Sequence, residues 1–146
     1  KPILIPYELY FSRYSANWQN GGVAFLKPNK VLGVNDWTLG RVWKITCEQY
    51  EEVRVQEGKD CYNYEIYLGE EDDVPIRIIT SENILTPYNK PSDGYIKTIT
   101  LGLKETYNFS DEEIGKYLIT KSGIKENFTH GDLLSVIGSA TSSTTA

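Results

Sequence analysis

The residues best suited to chemistry are Gln56-Glu57-Gly58 and, shortly downstream, Tyr62. Thr46-Cys47-Glu48-Gln49 has the T-x-x-Q form of a capping box, which predicts a short helix beginning there. On that helix Tyr50 and Val53 share a face, and the helical period carries Glu57 onto the same, inward-facing side. Gly58 then supplies the left-handed residue that ends a helix. A carboxylate held against an apolar face loses solvation, so its proton affinity rises and it becomes a proton shuttle near neutral pH. The competing reading is a helix that frays before Glu57 and leaves the carboxylate in water.

Other chemistry is poorly represented. The eleven tyrosines suit core and rim positions with their hydroxyls satisfied locally. His130 stands alone near the C-terminal end. Cys47 and Cys61 are too few for a disulfide framework and lack the short spacing of a zinc site, so no metal is expected. G-x-S-x-G, P-loop, H-E-x-x-H and dinucleotide glycine patterns are all missing. Asn108-Phe109-Ser110 and Asn127-Phe128-Thr129 match the glycosylation sequon, but Ser110 already caps a helix, and both matches read as coincidence.

Fifteen Lys and Arg against twenty Asp and Glu leave a net charge of −5, which argues against a nucleic-acid partner because no basic face is available to displace counterions. Apolar stretches are far shorter than the roughly 18 residues of a membrane span, and no signal peptide is visible. A cytoplasmic location fits the cysteine usage. With no methionine and Lys1 at the front, the chain is expected to be a fragment or a processed form.

The elements that must carry Glu57 are read mostly as strands at first. Tyr7, Leu9 and Phe11 alternate with polar neighbours, Gly21-Gly22 leads into the apolar run 23–26 that Pro28 ends, and 39–46 looks like a third strand. After the helix, 62–68 and 74–80 flank an acidic turn at 70–73. Ser92 or Asp93 caps a helix carrying Ile96, Ile99 and Leu103, and Ser110-Asp111-Glu112-Glu113 is a second capping box. The length suits one domain, placed at 1–126, with 127–146 as a flexible C-terminal tail. Strands, a short helix, more strands and then helices predict an α+β fold on a mostly antiparallel sheet or barrel.

Several stretches in order resemble the γ-glutamylcyclotransferase-like family: Gly21-Gly22-Val23-Ala24, Leu39-Gly40-Arg41-Val42-Trp43, the Gln56-Glu57-Gly58 turn with Tyr62, and Pro91-Ser92-Asp93-Gly94-Tyr95 leading into Ile99 and Gly102. The resemblance runs from Tyr7 to about Ile124. It implies a small mixed, partly closed β-barrel with flanking helices. It also implies a cofactor-free reaction in which the α-amine of a γ-glutamyl peptide or γ-glutamylamine attacks its own γ-carbonyl, giving 5-oxoproline and a released amine. On that resemblance Glu57 is the catalytic acid and base, Tyr95 lines the substrate pocket, and Tyr62, Tyr64, Gly21 and Gly22 join it in binding substrate.

Family members usually carry an early Tyr-Gly-Ser-Asn loop that holds the glutamyl carboxylate or the developing oxyanion. No such loop occurs here, and Arg13-Tyr14-Ser15-Ala16-Asn17 lacks its glycine. A removed segment or a partner chain would supply it. The alternative is a non-catalytic module that keeps the barrel and binds a small ligand.

Overall fold

The computed structural model describes residues 1–31, 33–57 and 61–140. The period-two alternation at the start of the chain forms a strand, β2 (Tyr7–Ser15), preceded by a short β1 (Pro2–Ile5) that the pattern did not reveal. β2 pairs with β3 (Gly21–Lys30). β3 does not stop at Pro28 as expected. β1 pairs antiparallel with β4 (Thr38–Arg41), from Pro2 opposite Arg41 to Ile5 opposite Thr38. The predicted strand at 39–46 is therefore cut short after Arg41.

The capping box acts as predicted: the Gln49 amide N–H donates to Thr46 Oγ1 at 3.1 Å, and the Thr46 N–H donates to Gln49 Oε1 at 2.9 Å. Helix α1 (Cys47–Glu57) follows. β5 (Tyr64–Glu71) and β6 (Val74–Thr80) then form an antiparallel hairpin. Its two-residue turn places Asp72 and Asp73 at φ 52° and 63°, a left-handed pair that aspartate tolerates. The register slips between Tyr67 and Gly69, where Gly69 adopts φ +115°.

The last part of the chain is helical. Ser92 caps α2 (Asp93–Tyr107), and Ser110 with Glu113 completes the predicted capping box of α3 (Asp111–Leu118). A flexible tail from residue 127 is corrected by α4 (His130–Gly138), which Thr129 caps and whose Leu133 and Ile137 are fully buried. Two apolar residues four apart suffice to dock a short helix when a neighbour lies close. Gly115 of α3 provides that approach, since a Cβ there would stand 3.0 Å from Leu134 Cδ2.

The fold is thus mixed α+β. Among the described residues the strands form three two-stranded sheets, none closed into a barrel. The chain divides into two compact units, Lys1–Glu8 with Phe25–Ile84 and Leu9–Ala24 with Leu85–Ala146. The first has a small core of Ile5, Phe25, Leu26 and Ile66. The second has a larger one of Tyr10, Phe11, Ile96, Leu103, Ile114, Leu118, Ile124, Leu133 and Ile137, in which each fully buried aliphatic side chain contributes about 1.5–3 kcal/mol.

Candidate functional site

Glu57 is the last residue of α1, and it is exposed. No residue of α1 is buried; Tyr50 is half-buried, while Val53 and Val55 are 39% and 73% exposed. The inward face predicted from the spacing of Tyr50, Val53 and Glu57 therefore does not form. The reason is that the capping box determines where the helix starts, while the packing partner needed to bury its Val53 side is not supplied. Gly58, expected to end α1, lies outside the described residues.

Within the first unit, Tyr62 stacks on Phe25 with ring centroids 4.6 Å apart and planes 15° from parallel. Tyr64 opens β5 opposite Thr80 and is 41% exposed. A cavity in this unit is lined by Leu4, Pro6, Tyr7, Lys30, Tyr67 and Leu68, and none of the predicted catalytic or substrate-binding residues is among them.

α1 is instead held from the β5–β6 hairpin. The Tyr50 hydroxyl donates to a carboxylate oxygen of Glu65. Arg77 Nε stands 3.7 Å from the other Glu65 oxygen, and its guanidinium lies 5.9 Å from the centroid of the Tyr50 ring. Burial, and then the hydrogen bond to Glu65, push the Tyr50 phenol up from 10.0 to about 12. Sequence reasoning assigned Tyr50 to an apolar face and missed this polar contact, because Glu65 and Arg77 become its neighbours only when the hairpin forms.

The second unit brings together two of the stretches on which the family resemblance rests. Gly21 and Gly22 are buried where β3 meets the chain from Asn89 to Ser92. A Cβ at Gly21 would lie 2.6 Å from the Ser92 amide nitrogen, and one at Gly22 would lie 2.2 Å from the Asn89 carbonyl oxygen. Glycine is required there because two backbones touch. The Gly22 N–H donates to the Lys90 carbonyl at 2.9 Å. Two residues on, the Ala24 N–H donates to the hydroxyl of Tyr95 at 2.9 Å. The Tyr95 ring meets Trp18 and Phe11 edge to face, with centroids 4.9 and 6.2 Å away.

Asn89 is the organising residue that sequence reasoning missed. Its Nδ2 donates to the carbonyls of Arg13 and Asn20 at 2.8 and 3.1 Å, and its own N–H donates to the Phe11 carbonyl at 3.0 Å. An asparagine between two prolines was a possible signal, but only for a turn.

Glu57, Tyr62 and Tyr64 thus belong to the first unit, and Gly21, Gly22 and Tyr95 to the second. His130 begins α4, with Nε2 3.4 Å from Glu112 Oε2. Among the described residues, no group of three or more His, Cys, Asp or Glu is placed to hold a metal ion, and no helix is long and apolar enough to cross a membrane. In comparisons with family models, curated proteins and solved structures, nothing matches the chain.

Proposed function

We propose that this chain is a cofactor-free cyclotransferase of the γ-glutamylcyclotransferase type, acting on a γ-glutamyl peptide or γ-glutamylamine in the cytoplasm. The observation that carries the reading is the interlocking of Gly21-Gly22-Val23-Ala24 with Pro91-Ser92-Asp93-Gly94-Tyr95 through the Ala24–Tyr95 hydrogen bond and the close approach of Gly21 to Ser92. Residues far apart in sequence, singled out by one family resemblance, contact each other directly. The partly closed barrel of that family belongs to the same proposal.

The chemistry asks little of the protein beyond positioning and proton transfer. The attacking α-amine is tethered to its target, so orientation supplies much of the rate. Glu57 takes a proton from the α-ammonium, the nitrogen adds to the γ-carbonyl carbon, and the five-membered ring closes. Glu57 then returns the proton to the departing nitrogen as the tetrahedral oxyanion collapses and the old C–N bond breaks, and the second proton of the former ammonium passes from the ring nitrogen to the released amine, which leaves as an ammonium.

A second reading, a non-catalytic module that binds a small γ-glutamyl-like ligand, is favoured by the exposure of Glu57. One experiment separates the two: the protein is incubated with γ-glutamyl peptides and γ-glutamylamines and 5-oxoproline is measured. The enzyme reading expects product from the wild type and none from Glu57→Gln, with the circular dichroism spectrum unchanged. Binding without product, equal in both proteins, supports the module. Full turnover by Glu57→Gln removes this mechanism.

A further inference from the structure

We propose that Tyr50, held by Glu65 and Arg77, is a positioning residue that sets the direction in which α1 presents Glu57. The kinetic part of this inference rests on the function proposed above; the structural part does not.

Helices in folded proteins are mostly held by a packed apolar face. α1 has none, since no residue of Cys47–Glu57 is buried. Its attachment through Tyr50 is polar and directional. The hydroxyl donates to the Glu65 carboxylate, while Arg77 covers the ring and faces the same carboxylate. The hairpin places both partners on one face. Glu65 pairs with Ile79, and Arg77 lies two residues from Ile79 on the same strand, so the two side chains are diagonal neighbours.

Glu57 lies seven residues beyond Tyr50, almost two full turns, so it stays within about 20° of the same side of the helix. The separation along the axis is about 10 Å. A tilt of about 20° around Tyr50 would therefore move the Glu57 backbone by about 4 Å. Misplacement of a reacting group by about 1 Å can cost about a hundredfold in rate. A clasp at Tyr50 is thus well placed to control a carboxylate that has no packing of its own.

The test compares the full-length wild type with Tyr50→Phe and Glu65→Gln by amide hydrogen exchange over Cys47–Glu57 and by kcat and KM for 5-oxoproline release. Tyr50→Phe keeps the ring and removes the donor. It is expected to speed exchange in α1 about tenfold, as loss of a hydrogen bond to a charged group implies, with no change in the β5–β6 hairpin. It should also lower kcat at least about tenfold while leaving KM within about twofold. Glu65→Gln keeps an acceptor but loses the charge that Arg77 faces, and should fall between wild type and Tyr50→Phe in both. Unchanged α1 exchange in Tyr50→Phe overturns the clasp. Faster exchange with unchanged kcat overturns the positioning role. If the wild type makes no 5-oxoproline, the enzyme reading fails by that result alone, and exchange in α1 still decides whether Tyr50 holds the helix.

Discussion

The hydroxyl of Tyr95, in the first turn of α2, accepts the amide N–H of Ala24 in β3 at 2.9 Å. Its ring is wedged against Trp18 and Phe11. From sequence, Tyr95 is a substrate ligand whose loss weakens binding more than stability; as placed, it ties a strand to a helix within the second unit. Tyr95→Phe should therefore cost about 1–3 kcal/mol, because a part-buried N–H loses its acceptor while the ring packing stays. Urea denaturation measures this. Unchanged stability together with weakened γ-glutamyl ligand binding would return Tyr95 to the binding site.

Glycine substitutions should split by position. At Gly22 an added Cβ would meet the Asn89 carbonyl oxygen at 2.2 Å and its carbon at 2.9 Å, and neither backbone atom can swing aside. Gly22→Ala should lose at least about 1–3 kcal/mol, the usual cost of overpacking. Gly102, inside α2, has nothing within 4 Å of its virtual Cβ. Gly102→Ala should gain about 0.5–1 kcal/mol from helix propensity. Thermal melts of the two variants should move in opposite directions.

Thr80 makes two bonds with one hydroxyl: it accepts from the Leu26 N–H at 2.9 Å and donates to the Leu26 carbonyl at 2.8 Å, all buried. Thr80→Val keeps the shape and abandons both backbone groups, at about 1–3 kcal/mol each. Thr80→Ser keeps the hydroxyl and should lose less. Chemical denaturation of the two variants checks the order.

Alkaline pH should weaken the first unit through Tyr50. Its folded-state acidity constant lies near 12 against 10.0 for the free phenol, so the neutral form is favoured by folding. This contribution is fully present below pH about 10 and is lost as pH rises from about 10 through about 12. Denaturation curves across this window should fall more steeply for wild type than for Tyr50→Phe. Parallel curves would mean that the phenol has no special environment.

Much of the fold was legible because it rests on local rules. The alternation of Tyr7, Leu9 and Phe11 marks β2, Val74–Thr80 is a strand over its whole predicted length, and the caps at Thr46, Ser92 and Ser110 start their helices where short-range hydrogen bonds place them. β1 escaped notice because four residues are too few for a period, and α4 because a small, polar composition concealed Leu133 and Ile137.

The candidate site divides along the same line. Sequence alone determined that α1 begins after Thr46 and that Glu57 lies two turns beyond Tyr50. It also singled out Gly21-Gly22 and Tyr95. Only the tertiary structure decided that α1 has no buried side, that Tyr50 engages Glu65 and Arg77, and that Asn89 binds Phe11, Arg13 and Asn20 together. A cap needs atoms three residues away, whereas burial and long-range hydrogen bonds need partners that folding alone brings close.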